Sequence, residues 1–117
     1  MKTSAHLIAA TIFAASVGAA YAHHGWSEYD ASKPLKLAGV ITEAGYEHPH
    51  GHVQLQTSDK TWSVVLAPPS RMSARGLSAA VLKAGTQAQV VGYANRNKPD
   101  EMRAERITIG DKTVELR

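Results

Sequence analysis

The sequence predicts an all-β fold: a small five- to six-stranded barrel of the oligonucleotide/oligosaccharide-binding (OB) type, with one short helical connection. Three observations predict it. Apolar and polar residues alternate over several short segments, as half-buried strands require. The one helix-compatible stretch falls between the third and fourth of those segments. The first segment is long and carries internal glycines, which suits a strand that curls to serve both ends of a barrel. A small β-sandwich is the rival arrangement.

The elements follow in order. Residues 23–34 are polar, aromatic and irregular, and Trp26 and Tyr29 are expected to pin them to the body of the domain. Residues 35–46 read as the first strand, with Leu35, Leu37, Gly39 and Ile41 on one parity. Residues 52–57 form the second, where Val53 and Leu55 alternate with His52, Gln54 and Gln56. The turn Ser58-Asp59-Lys60 leads to a third over 61–67, with Trp62, Val64, Val65 and Leu66, and the two strands pair as a hairpin. Pro68-Pro69 ends that strand and opens a helical region over 70–82, which Gly76 divides and Lys83-Ala84-Gly85 closes. Residues 86–93, 102–109 and 112–116 are the remaining strands.

The N-terminal 22 residues read as a cleavable secretory signal. Lys2 provides a positive start, residues 7–17 are an apolar run, and Ala20-Tyr21-Ala22 is a small-x-small cleavage signature. The run is shorter than the roughly 20 apolar residues a membrane span needs. Cleavage would leave one domain, residues 23–117, in the periplasm, with no stable membrane span.

Composition then excludes several functions. The chain has no Cys, so thiol chemistry, disulfides and Cys-ligated metal sites are ruled out. With Lys2 removed, the basic residues exceed the acidic ones by two. Charges alternate along Asp100-Glu101-Met102-Arg103-Ala104-Glu105-Arg106, which reads as a solvated strand face rather than a nucleic-acid-binding stripe. No nucleophile motif or phosphate-binding loop is present, so no catalytic residue is assigned.

The histidines are the main chemical signal. Five lie beyond the export segment, as His23-His24 and as His48-Pro49-His50-Gly51-His52. In extended chain, residues at i, i+2 and i+4 share a face, and imidazole is a common ligand for zinc, copper and nickel. Cleavage after Ala22 would free the α-amine of His23. Amine and ring together can chelate a metal, and a third imidazole from His48, His50 or His52 would complete a nitrogen site suited to copper(II). The ordinary alternative is histidines in a turn that hydrogen-bond backbone groups. Glu43 and Glu47 lie near enough in sequence to support the histidines or to sit on the surface.

Other candidates are thinner. Arg71 and Arg75 can share a helical face and hold an anion, though pairing with Asp or Glu is commoner. Met102 reads as core filler. Trp26, Tyr46, Trp62 and Tyr93 offer rings that could stack on a small ligand, a glycan or a partner protein.

Several phrases recur together in one known group: His23-His24-Gly25-Trp26, Leu37-Ala38-Gly39-Val40, Pro49-His50, Leu66-Ala67-Pro68-Pro69-Ser70-Arg71-Met72, Arg75-Gly76-Leu77, Gly92-Tyr93, and Glu101-Met102-Arg103-Ala104-Glu105-Arg106-Ile107. By these phrases the chain resembles a domain-of-unknown-function family of short exported bacterial proteins. The resemblance implies a periplasmic single-domain protein and brings no activity with it. In the family pattern Asn stands before the Pro-His pair, where this chain has His48. His52 is likewise a local choice. The resemblance therefore favours His23, His24 and His50 over the strand trio.

The functional expectation is a periplasmic module that binds copper or another transition metal through His23, His24 and His50, assisted by His48 or His52. The alternative is a metal-free binding module that uses the aromatic residues. An enzyme whose metal activates water is a weaker third reading.

Overall fold

The computed structural model describes residues 25–117. The segment expected to direct export, and the histidines at 23 and 24, lie outside the described residues. A 3-10 turn, Trp26–Glu28, leads into strand β1, Tyr29–Gly45. Then come β2 (His52–Gln56), β3 (Thr61–Val65), helix α1 (Pro69–Ala74), β4 (Gln87–Asn95), β5 (Glu101–Ile109) and β6 (Lys112–Glu115). The sheet runs β3-β2-β1-β4-β5-β6. A parallel pairing of β3 with β5, Val64 opposite Met102, closes it into a ring. This is the expected OB-like arrangement, with β1 shared between β2 and β4.

The curl of β1 has a local cause. Its register against β2 shifts between Ile41 and Glu43, a bulge that bends the strand. At Gly39 a Cβ would run into the Gln56 carbonyl group, so the neighbouring strand approaches more closely than any side chain allows.

Two elements differ in extent from expectation. β1 begins at Tyr29, well before residue 35, because this polar stretch pairs with the end of β4, Tyr29 opposite Asn95 and Pro34 opposite Tyr93. Backbone pairing carries it, and apolar alternation does not reveal it. The helix stops at Ala74, short of the expected 70–82. Gly76 adopts φ 85°, the left-handed conformation that ends helices, and the Leu77 amide returns to the Met72 carbonyl at 2.8 Å. Turns follow, fastened by buried Leu77 and Leu82.

The core sits inside the ring. Ile41, Val53, Leu55, Val64, Val90, Met102 and Ile107 are almost wholly buried there, as alternation predicts. In β5 the alternation is reset. Val91 faces Arg106 and Gly92 faces Ala104, so Glu105 is an extra residue on that strand. Met102 and Ala104 before the bulge, and Ile107 after it, all join the core. Arg103, between two core residues, is directed to the outer face beside its cross-strand neighbour Tyr93.

Candidate functional site

The outer face around Arg103 collects residues from distant parts of the chain. Trp26 arrives from the turn before β1. Its ring meets Tyr93 edge-on at 6.1 Å and Tyr29 at 6.5 Å between centroids. Two guanidinium groups lie against the same indole: Arg103 at 4.3 Å and Arg117 at 4.6 Å from the ring centroid. Each such contact contributes about 0.5–2 kcal/mol, more when water is excluded.

Arg103 is 7 % exposed, the one buried charged side chain among the described residues. The alternating charges of residues 100–106 therefore do not form a uniformly solvated face. The structure corrects that expectation at Arg103, which Trp26 covers. Its Nη2 donates to His50 Nε2 at 3.3 Å. Arginine has no acceptor, so His50 must accept with Nε2 and keep its proton on Nδ1. Burial, together with the Arg103 and Arg71 charges, pushes the His50 pKa below its usual value. Burial likewise lowers the Arg103 pKa; Tyr29 opposes this and Arg71 and Arg117 add to it.

A carboxylate cluster fastens the rim. Glu101 Oε2 accepts from the Tyr29 hydroxyl at 2.9 Å and from Asn95 Nδ2 at 2.8 Å. Burial, followed by the Glu101 contact, pushes the Tyr29 pKa up to about 12. Glu105 accepts from the Tyr93 hydroxyl at 3.1 Å and lies 3.6 Å from Arg117. Arg71 donates to the Leu116 carbonyl at 3.0 Å, and Arg75 to the Glu115 carbonyl at 2.7 Å. Both arginines brace the C-terminal strand through backbone carbonyls, where side-chain carboxylates were the commoner expectation.

The histidine trio does not assemble. His48 is exposed, after which comes a cis bond to Pro49. The His52 ring lies over Gly45 on the neighbouring strand, and His50 faces Arg103. Among the described residues no group of three or more His, Asp or Glu is arranged to hold a metal ion. Glu43 and Glu47 are exposed. The aromatic set also divides. Trp26 and Tyr93 adjoin, whereas Trp62 is buried in the core with Lys60 Nζ 4.2 Å from its ring centroid. The Tyr46 hydroxyl donates to the Leu77 carbonyl at 2.7 Å, tying the residue after β1 to the segment after α1.

Trp26, His50, Arg71, Tyr93, Glu101 and Arg103 on this face all fall within the phrases that carry the resemblance, the last two within the same phrase. The family model described as a family of unknown function (DUF6152) matches residues 10–103. The chain belongs to DUF6152. No protein of curated function matches this DUF6152 chain. Two solved structures share the fold. One is the ZRD-deleted mutant of TiaS in complex with agmatine, with TM-score 0.56, 17 % identity, and 74 % of this chain and 27 % of that chain covered. The other is TiaS in complex with a tRNA and ATP, with TM-score 0.52, 21 % identity, and 76 % and 20 % covered. The DUF6152 chain thus spans about a quarter or less of their length, and at these identities the likeness is one of fold alone. Among the described residues no helix is long and apolar enough to cross a membrane.

Sequence reasoning missed Arg103, Glu101 and Arg117 as parts of one site. The sequence carries no signal for Arg103, since a charge between two apolar strand residues reads as a solvent-facing one.

Proposed function

We propose that this DUF6152 protein is an exported, periplasmic binding module that holds a small ligand on the face built around Trp26, His50, Tyr93 and Arg103. One observation carries the reading. An aromatic ring and a buried guanidinium stack on one another at 4.3 Å, outside the core, where neither is needed to fill the barrel. Aromatic and arginine side chains together are frequent components of recognition surfaces. Backbone amide and Trp indole shifts in a two-dimensional NMR titration test it. Ligands that bind should move Trp26, Tyr93 and Arg103 and leave Trp62 still. Shifts confined to another face would sink the reading. Export is tested separately: the periplasmic protein should have the mass of residues 23–117.

A second reading retains the metal. His50 is held as a neutral imidazole, the form that ligates metals, and Trp26 is anchored close in sequence to His24. In this reading His23 and His24 capture copper or another transition-metal ion, with His50 as a third ligand. Against it stands the Arg103 cation beside His50. Calorimetric titration of tag-free protein beginning at His23 with copper(II) decides: binding should be lost when His23 and His50 are replaced. Binding that survives both replacements excludes that site.

A further inference from the structure

A buried guanidinium without a counter-ion is expensive. Removing a cation from water costs several kcal/mol, and proteins offset this with a carboxylate or another anion. Arg103 lacks one at contact distance: no ion pair joins it to a carboxylate among the described residues. Its Nε–H is buried and has no hydrogen-bond partner. Its one polar side-chain contact among the described residues is with the His50 imidazole, at 3.3 Å, a long bond for a charged donor.

Geometry says what is missing. In a guanidinium the Nε–H and one Nη2–H lie along the same edge, spaced for the two oxygens of a carboxylate or phosphate. On Arg103 that edge has its Nη2 end on His50 and its Nε end on nothing. His50 is half-buried on the loop before β2 and is not part of the packed core. Two further cations act on the place. Arg71 acts electrostatically on both His50 and Arg103, and Arg117 lies against the far partner of the stack, Trp26. Three carboxylates share the face with these three guanidinium groups, and Glu101 is taken up by the Tyr29 hydroxyl and Asn95. Glu105 is itself shared between Arg117, Arg106 and the Tyr93 hydroxyl. Glu28 acts on Arg103 only through its field, more weakly than Arg71 or Arg117.

We propose that the Trp26–Arg103 face is a receptor for an oxyanion, a carboxylate or phosphate group, which displaces His50 from Arg103 and takes the Nε/Nη2 edge in the field of Arg71 and Arg117. The proposal rests on the ligand-site reading above and adds the charge class of the ligand. It also gives His50 a role: the ring holds the empty edge in place, neutral, until the anion arrives. A metal cation is the opposite of what this edge attracts.

Four probes test it on the processed, tag-free chain by calorimetry and NMR: inorganic phosphate, citrate, benzamide and glycerol. Phosphate or citrate should bind saturably, shift the Arg103 Nε–H resonance, and weaken as salt rises. Which of the two binds tells phosphate from carboxylate. Arg103→Met keeps the buried volume without the charge and should lower anion affinity about tenfold or more. Should that variant fail to fold, Arg71→Gln, on the rim, should weaken binding several-fold. Absence of saturable anion binding, or anion binding unchanged in both variants, overturns the proposal. Benzamide or glycerol moving the Trp26 resonances while both anions leave them still would overturn the oxyanion class yet leave the face as a ligand site. Silence of Trp26 towards all four probes would count against both.

Discussion

The guanidinium carbon of Arg103 lies 4.3 Å from the ring centroid of Trp26, which joins the turn before β1 to the start of β5. The contact closes the outer face where β4 and β5 pair, and it removes Arg103 from water. Trp26→Ala should cost about 1–3 kcal/mol in urea unfolding, the range for a stacked aromatic and cation. Trp26→Phe should recover part of it. An unchanged unfolding midpoint in Trp26→Ala would mean that the indole rests on the barrel without holding it.

Alkaline pH tests the Tyr29–Glu101 bond. Tyr29 is raised from 10.0 to about 12, so its contribution is fully present below pH 10 and is lost as pH rises through 12. Thermal stability should therefore decline across that window. Glu101→Gln removes the negative acceptor, and the Tyr29 phenol should then ionise at lower pH in an ultraviolet titration. A phenol that titrates as before would show that burial alone sets its value.

Acid tests His50. Its pKa is lowered in the fold from 6.5, by burial and then by Arg103 and Arg71. The stability linked to it is present above pH 6.5 and is lost as pH falls through the depressed value, because protonation puts a cation against Arg103. His50→Gln keeps an acceptor for Arg103 without the titration, so its stability should fall less between pH 7 and 5, roughly the range where histidine charges. Parallel melting curves across that range compare the two directly. Identical slopes would remove His50 as the group responsible.

Gly92 tests the bulge. A Cβ there would strike the backbone of Arg103 and Ala104, atoms that cannot swing away. Gly92→Ala should destabilise the domain by about 2 kcal/mol or more, as a backbone clash in a sheet does, and should disturb Arg103 with it. Gly85→Ala is the contrast. No atom stands within reach of a Cβ there, and only its φ of 93° opposes the change. Its cost should be the smaller of the two in chemical denaturation.

Much of the barrel is legible in residues that alternate. Val53 and Leu55, Trp62 and Val64, Ala88 and Val90 each repeat with period two, and each is buried where that period puts it. The extent of β1 and of α1 is less legible. Tyr29 to Pro34 becomes strand through backbone bonds to β4, and such bonds leave no apolar pattern. The site was legible only in pieces. His50, Trp26 and Tyr93 stand out by residue type. Arg103 does not, because a charge in an alternating run resembles a solvated one until the indole that covers it is in place.

The sequence alone determined which residues can line the core, where the turns fall, that no thiol takes part, and that five histidines lie in two groups beyond residue 22. Those are local properties, set by side-chain type and by periods of a few residues. Only the tertiary structure decided that His50 faces a guanidinium, that His52 turns to Gly45, and that Arg103 is buried beneath Trp26. The reason is physical. Ring closure through β3 and β5, and the one-residue reset at Glu105, place groups from distant segments on one face. Neither can be counted along a strand.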